Sequence, residues 1–377
     1  MEGKNGLIRL RSFGHVSRRG FLQGAAGLGA LTAVASLPGR RAEAATSVRF
    51  VGFQEYDTAL GDYMKAHDIT MDSTYIGGST EILAKLSAGG VGSIDLVTPY
   101  MGYVPLLVAS GLLQPIDESK VPNLDRVHPV FRNNPNIRID GKLYEAPFVW
   151  GGVPMMYDPA VVKTKPDSWY DVLKPEYKGK VGMTESLNNI LLASVIVNKG
   201  VEIPSMITRE QLAKAVDFLI QVKANSRLVA ASYGELADAM ARGEVVITFN
   251  GWEVMKKMAA DKGKVIEYTY PKEGTFGWLD NYCIVKDAPN VAVAHELANA
   301  ALSVPVQLTA GNVSLLGIVN LDAIAKLEPA KRAIYPYDDI EGFGKTAGFY
   351  RIEPLKPDGL HATFDDWNKE YVRFKNS

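Results

Sequence analysis

The chain has 377 residues, 47% of them hydrophobic, and its 41 Lys/Arg against 42 Asp/Glu leave a net charge of −1. That balance argues against a nucleic-acid surface and against a polybasic membrane contact. The only cysteine, Cys283, can form no internal disulfide, so the fold must rest on its core.

Residues 1–44 read as an export leader. Ser17-Arg18-Arg19-Gly20-Phe21-Leu22-Gln23 has the form of a twin-arginine motif, followed by the weakly apolar run GAAGLGALTAVASL and a small-residue cleavage site, Ala42-Glu43-Ala44. The run is too short and too rich in Gly and Ala for a membrane span of about 20 apolar residues. With seven Lys/Arg and two Asp/Glu in the leader, the mature chain holds 34 bases against 40 acids, a net charge of −6. Its roughly 333 residues suggest two domains.

Strand-like and helix-like patterns then alternate. SVRFVGF reads as a strand, TALGDYMKAH as a helix and ITMDSTYIG as a strand. STEILAKLSAG follows as a helix with Ser79 at its N-cap and an end near Gly89-Gly90, and SIDLVTPY as a strand stopped by Pro99. A β-α-β-α-β series predicts a mostly parallel sheet with helices on both faces and a ligand at the strand C-terminal ends. Gln54, Ser79 and Tyr100 fall at such ends.

A second series begins after LYEAPFVWGGVPMMYD, with helices expected at 189–199, 209–223 and 234–241, and a strand in GEVVITFNG. YCIVKDAP and the helical NVAVAHELANAAL come later. Two Gly/aromatic-rich stretches, near 147–151 and 274–279, look like strands crossing between lobes, which would make a hinge with the ligand in the gap. The fold class expected is α/β, two lobes of mixed sheet flanked by helices and joined by crossing strands. Lobe one takes 45–147 and 279–330; lobe two takes 148–278 and 331–377.

Within PKEGTFGWLDN, residues 271–281, the period of two places Trp278 and Asp280 on one face of an extended chain. A flat aromatic beside a carboxylate suits a cation; a core Trp beside a turn-capping Asp is the structural alternative.

From about residue 47 to the C-terminus the chain resembles the periplasmic substrate-binding proteins of ABC importers, of the type II two-lobed fold. SWYDVLKPEYKGKV matches a signature shared by binders of iron, thiamine and polyamines, and PKEGTFGWLD is similar to the spermidine/putrescine-binding branch. The resemblance implies that Trp278 packs on the aliphatic part of an amine while Asp280 pairs with an ammonium. It puts Phe53-Gln54 where the branch has Trp-Thr/Ser, Phe249 in place of another Trp, and Tyr100 to Tyr103 along the cleft. In MTESLNN, where the branch has two carboxylates, Ser186 and Asn189 stand instead; Glu185 lies one residue off and could equally point away. Leu316 replaces a Tyr. Tyr100, Tyr103, Trp150, Trp252, Trp278 and Tyr282 are the candidate aromatic walls, and Trp169 is expected to be structural.

One Asp with aromatic faces can hold one cation, each desolvated cation–π contact contributing about 2 kcal/mol. The expectation is therefore a monomeric periplasmic protein that binds a small cationic or zwitterionic amine and delivers it to an inner-membrane ABC permease, without a cofactor or metal. Diamines, betaines and amino-acid-derived compounds all remain open, as do iron and thiamine-like ligands. An exported α/β hydrolase is the enzyme alternative, but the five histidines are scattered and no G-x-S-x-G elbow or Walker loop supports it.

Overall fold

The computed structural model describes residues 46–377, so the leader and its cleavage site lie outside the described residues. Two sheets organise the chain. The first has eight strands, with a central path in the order Gly317–Ile318, Ala146–Gly152, Thr275–Val285, Leu96–Val97, Thr46–Gly52 and Ile69–Tyr75. Thr46–Gly52 is parallel to both its neighbours, which follows from the helical connections, and Thr275–Val285 runs antiparallel to Ala146–Gly152. The second sheet has five strands, ordered Ser226–Ala230, Val181–Thr184, Ile247–Thr248, Met155–Tyr157 and Glu267–Thr269. Both sheets are mixed.

The chain passes from the first sheet to the second between Gly152 and Met155, and returns between Thr269 and Thr275. Ala146–Gly152 is thus an outgoing crossover and Thr275–Val285 a return crossover, paired to each other across the hinge. SWYD pins the return. The Trp169 indole donates to the Gly274 carbonyl at 2.8 Å, and Glu273 accepts from the Ser168 hydroxyl at 2.7 Å and the Trp169 amide at 3.1 Å. Gly274 holds φ +88°, a left-handed turn that glycine adopts without steric cost.

Phe50, Phe148, Trp150 and Tyr282 belong to a core on the first sheet; Trp169, Phe218, Phe249 and Trp367 belong to a core on the second. The helix Arg209–Asn225 covers the latter with Leu212, Val216 and Leu219, and starts at a capping box of Thr208 with Gln211. The last segment divides. Tyr335, Tyr337, Ile340 and Phe343 pack with the first core, whereas Ala362, Trp367 and Phe374 pack with the second. Residues 331–377 therefore do not return as one piece to the second sheet, because Ala347–Gly348 pairs with Thr275–Phe276 at the hinge itself.

Several elements depart from expectation. SIDLVTPY forms a strand only over Leu96–Val97, with a separate bridge at Tyr100. Before that pairing, the Asp95 carboxylate takes the Arg49 amide at 2.9 Å and the Asn290 amide at 2.7 Å. Ser79 is the first residue of the helix Ser79–Lys85 rather than its cap, which is Gly78. Its hydroxyl is free for another partner. Among the described residues, no helix is long and apolar enough to cross a membrane.

Candidate functional site

The hinge rungs set the geometry. Trp278 lies opposite Gly151 and Asp280 opposite Val149, so alternation brings both side chains to one face of the return crossover. A Cβ on Gly151 would stand 2.3 Å from the Trp278 ring, so only glycine lets the indole lie across the rung. Trp278 remains half-buried.

Asp280 is 7% exposed, and its carboxylate accepts a hydrogen bond from the Tyr56 hydroxyl at 2.5 Å. Burial pushes this carboxyl up to about 7, and the Tyr56 bond pulls it partway back. Tyr56 is itself held well above the usual tyrosine range by burial and then by Asp280, so it stays a donor. The Tyr282 hydroxyl fixes this residue by donating to the Tyr56 carbonyl at 2.8 Å. Tyr100 bridges Asp280 in a lone antiparallel rung. Its amide donates to the Ser79 hydroxyl at 2.9 Å and its own hydroxyl donates to the Tyr350 carbonyl at 2.7 Å.

Beside Tyr100 a cavity of about 390 Å³ opens between the two sheets, within the size range of small-ligand sites. The first-sheet side contributes Phe53, Ser79, Tyr100 and Tyr103, and the second contributes Ser186 and Leu187. A strap at residues 350–354 closes one side. The Ser205 hydroxyl donates to the Arg351 carbonyl at 2.5 Å and the Ile352 amide donates to the Gly102 carbonyl at 3.2 Å, so the strap touches both lobes. It also brings Glu353 to the cavity, 8% exposed and pushed up to about 7 by burial.

The expected site residues thus fall into three groups. Phe53, Ser79, Tyr100, Tyr103 and Ser186 share the cavity, with Trp278 and Asp280 at the adjoining hinge. Trp150, Phe249, Asn189 and Tyr282 are buried in structural roles instead. The Trp150 indole donates to the Ile318 carbonyl at 2.8 Å and its ring meets Phe343 at 4.8 Å. Phe249 stacks edge-on with Trp169 at 5.5 Å, and the Asn189 amide ties back to the Thr184 carbonyl at 2.7 Å. Gln54 is exposed, Glu185 pairs with Lys375, and Trp252 is half-buried against Tyr233 at 6.0 Å. Leu316 is core.

Tyr56, Glu353 and Tyr350 were missed by sequence reasoning. Tyr56 sits two residues past Gln54, just before the stretch read as helix, and opens the short helix Tyr56–Ala59 after Glu55 at φ 81°. Residues 350–358 show no periodicity that would assign them to a site. Glu145 is buried with both carboxyl oxygens unpartnered, and burial followed by the nearby Asp280 pushes it well up. Among the described residues, no group of three or more His, Cys, Asp or Glu side chains assembles in a way that could hold a metal ion.

The family model for bacterial extracellular solute-binding proteins matches residues 58–337. The chain belongs to that family. This solute-binding protein is 28% identical over 268 residues to the spermidine/putrescine-binding periplasmic protein of Escherichia coli K12, covering 70% of this chain and 75% of that one. It is 26% identical over 292 residues to a putrescine-binding periplasmic protein of Pseudomonas aeruginosa, covering 70% and 78%. Among solved structures, the spermidine/putrescine ABC transporter substrate-binding protein of Streptococcus pneumoniae matches with a TM-score of 0.69 at 20% identity, over 88% of this chain and 99% of that one. The PBP of A. tumefaciens in complex with glucopine matches at 0.64 and 18%, over 88% and 100%. The fold is the two-lobed type II binding-protein fold.

Proposed function

We propose that this solute-binding protein is the periplasmic component of an ABC importer and holds a small amine-bearing cation between its lobes. The observation that carries the reading is the buried Asp280 carboxylate, set at the hinge on the same face as a half-buried indole. Burying an ammonium without an opposite charge costs several kcal/mol. Asp280 supplies the charge and Trp278 a π face, while Tyr56 keeps the carboxylate oriented. Polyamine binding by the relatives in Escherichia coli and Pseudomonas aeruginosa supports the same class. No bond is broken in this cycle. A ligand touching both lobes gains its full contact energy only when they are closed, so it shifts the population toward the closed form, which a monomer presents to its permease.

The test is a thermal-shift and calorimetric screen of the mature protein against putrescine, spermidine, glycine betaine, free amino acids, thiamine and ferric iron. A stabilising amine with no turnover fits the reading. A preference for an anion, or for iron, would replace it.

A further inference from the structure

We infer that the cavity beside Tyr100 takes the hydroxylated end of an amine whose ammonium Asp280 holds, which makes the ligand an amino alcohol. The inference rests on the amine reading above and names the chemistry of the ligand's other half.

Anchor and cavity meet at Tyr100, which forms the lone rung with Asp280 and lines the cavity. Beyond it the cavity offers donors from both lobes. Trp367, on the C-terminal helix Phe364–Lys375, belongs to the second core and lines the cavity while only 2% exposed. Its indole nitrogen is buried and has no partner, unlike those of Trp150 and Trp169. An indole N–H only donates, and leaving one buried and unmet is costly. Two serines of the cavity add to it. The Ser79 hydroxyl accepts from the Tyr100 amide at 2.9 Å, and the Ser186 hydroxyl accepts from the Asn188 amide at 3.2 Å. With an amide already on its oxygen, each keeps a hydrogen to donate.

One acceptor stands among these donors. The Glu353 carboxylate lines the cavity, is buried, and is met only by its own backbone amide. A hydroxyl answers both demands, because it accepts from an indole or a serine and donates to a carboxylate. A second ammonium has no lone pair and would leave the indole N–H unmet. A carboxylate tail would find the exposed Arg351, but it would share the cavity with the buried Glu353, and like charges there oppose each other. Ser79 comes from the first lobe, Ser186 and Trp367 from the second, and Glu353 from the strap that touches both. A hydroxyl among them therefore adds contacts that favour the closed form.

The experiment compares, by calorimetry at pH 8, amino alcohols of three to six carbons with the alkylamine, the diamine and the ω-amino acid of the same length. At the best length, wild type should bind the amino alcohol at least about tenfold more tightly than the alkylamine, and more tightly than the diamine or the amino acid. Trp367→Phe keeps an aromatic ring and removes the donor, so it should cut the preference over the alkylamine by about three- to tenfold. A preference kept in Trp367→Phe overturns the inference. Ser186→Ala, at a half-buried position, supplies the same test if the tryptophan variant fails to fold. A ratio near one at every length in wild type also overturns it and leaves Asp280 in its role. Preference for the diamine or the amino acid overturns it as well, because the far end is then charged. Binding of no amine overturns the amine reading and this inference together.

Discussion

The two walls of the cleft hold their polar groups in opposite ways. On the return crossover, Asp280 is almost wholly buried and meets a single protein donor, the Tyr56 hydroxyl. On the facing wall, the segment after Val181–Thr184 has Glu185 turned away to Lys375 and Asn189 bound to the Thr184 carbonyl; Ser186 is left to line the cavity. The first wall keeps an unmet charge demand at high desolvation, and the second has spent its polar groups on its own backbone and surface. A binding site shows itself by polar groups that the protein leaves incompletely satisfied.

The hardest way to break this contrast is Asp280→Asn. Affinity for a cationic amine should fall by ~2–5 kcal/mol, read by calorimetry at pH 8. The empty protein should respond in the opposite sense. Burial pushes the Asp280 carboxyl up to about 7 in the fold from an ordinary aspartate value of 3.8, so the folded state holds its proton more tightly than the unfolded chain. The associated stability is fully present below about pH 4 and is lost as pH rises through about 7, on the order of 4 kcal/mol for a shift of this size. Asp280→Asn should therefore flatten the fall in melting temperature between pH 5 and 8. If affinity holds and the curve keeps its slope, the unmet charge lies elsewhere.

Tyr56→Phe sharpens the same wall. Losing a hydrogen bond to a charged group costs ~1.5–3 kcal/mol, and here the cost falls on the ionised carboxylate. Cation affinity should weaken at pH 7, and the midpoint of its pH dependence should move upward. Gly151→Ala acts on the neighbouring rung. The new Cβ meets a rigid ring at 2.3 Å, and overpacking of this kind costs ~1–3 kcal/mol in stability while moving Trp278 off the ligand path. Tryptophan fluorescence with and without amine would read the displacement.

How much of this could be read in the amino acids depends on range. The paired crossovers announced themselves through glycine and aromatic residues clustered near 147–151 and 274–279, and the shared face of Trp278 and Asp280 follows from the period of two. The helix expected at 209–223 was legible to within two residues of the observed Arg209–Asn225. Trp150 was misread as a cleft wall because composition cannot tell which face of a strand buried on both sides meets the ligand; its neighbour Gly151 is the residue that opens that face. Tyr56 and Glu353 depend on contacts 224 residues apart in one case and on an aperiodic strap in the other, and neither has a local signature.

The smallest expected effect tests the facing wall. Glu185 and Lys375 are 41% and 48% exposed along their side chains, and exposed pairs contribute ~0–1 kcal/mol. Glu185→Gln should shift the melting temperature little and leave amine affinity unaltered, because the carboxylate is directed to the C-terminal helix. A large loss of affinity would mean that Glu185 swings into the cleft when the ligand enters, trading Lys375 for an ammonium. That exchange would make the two walls alike in function.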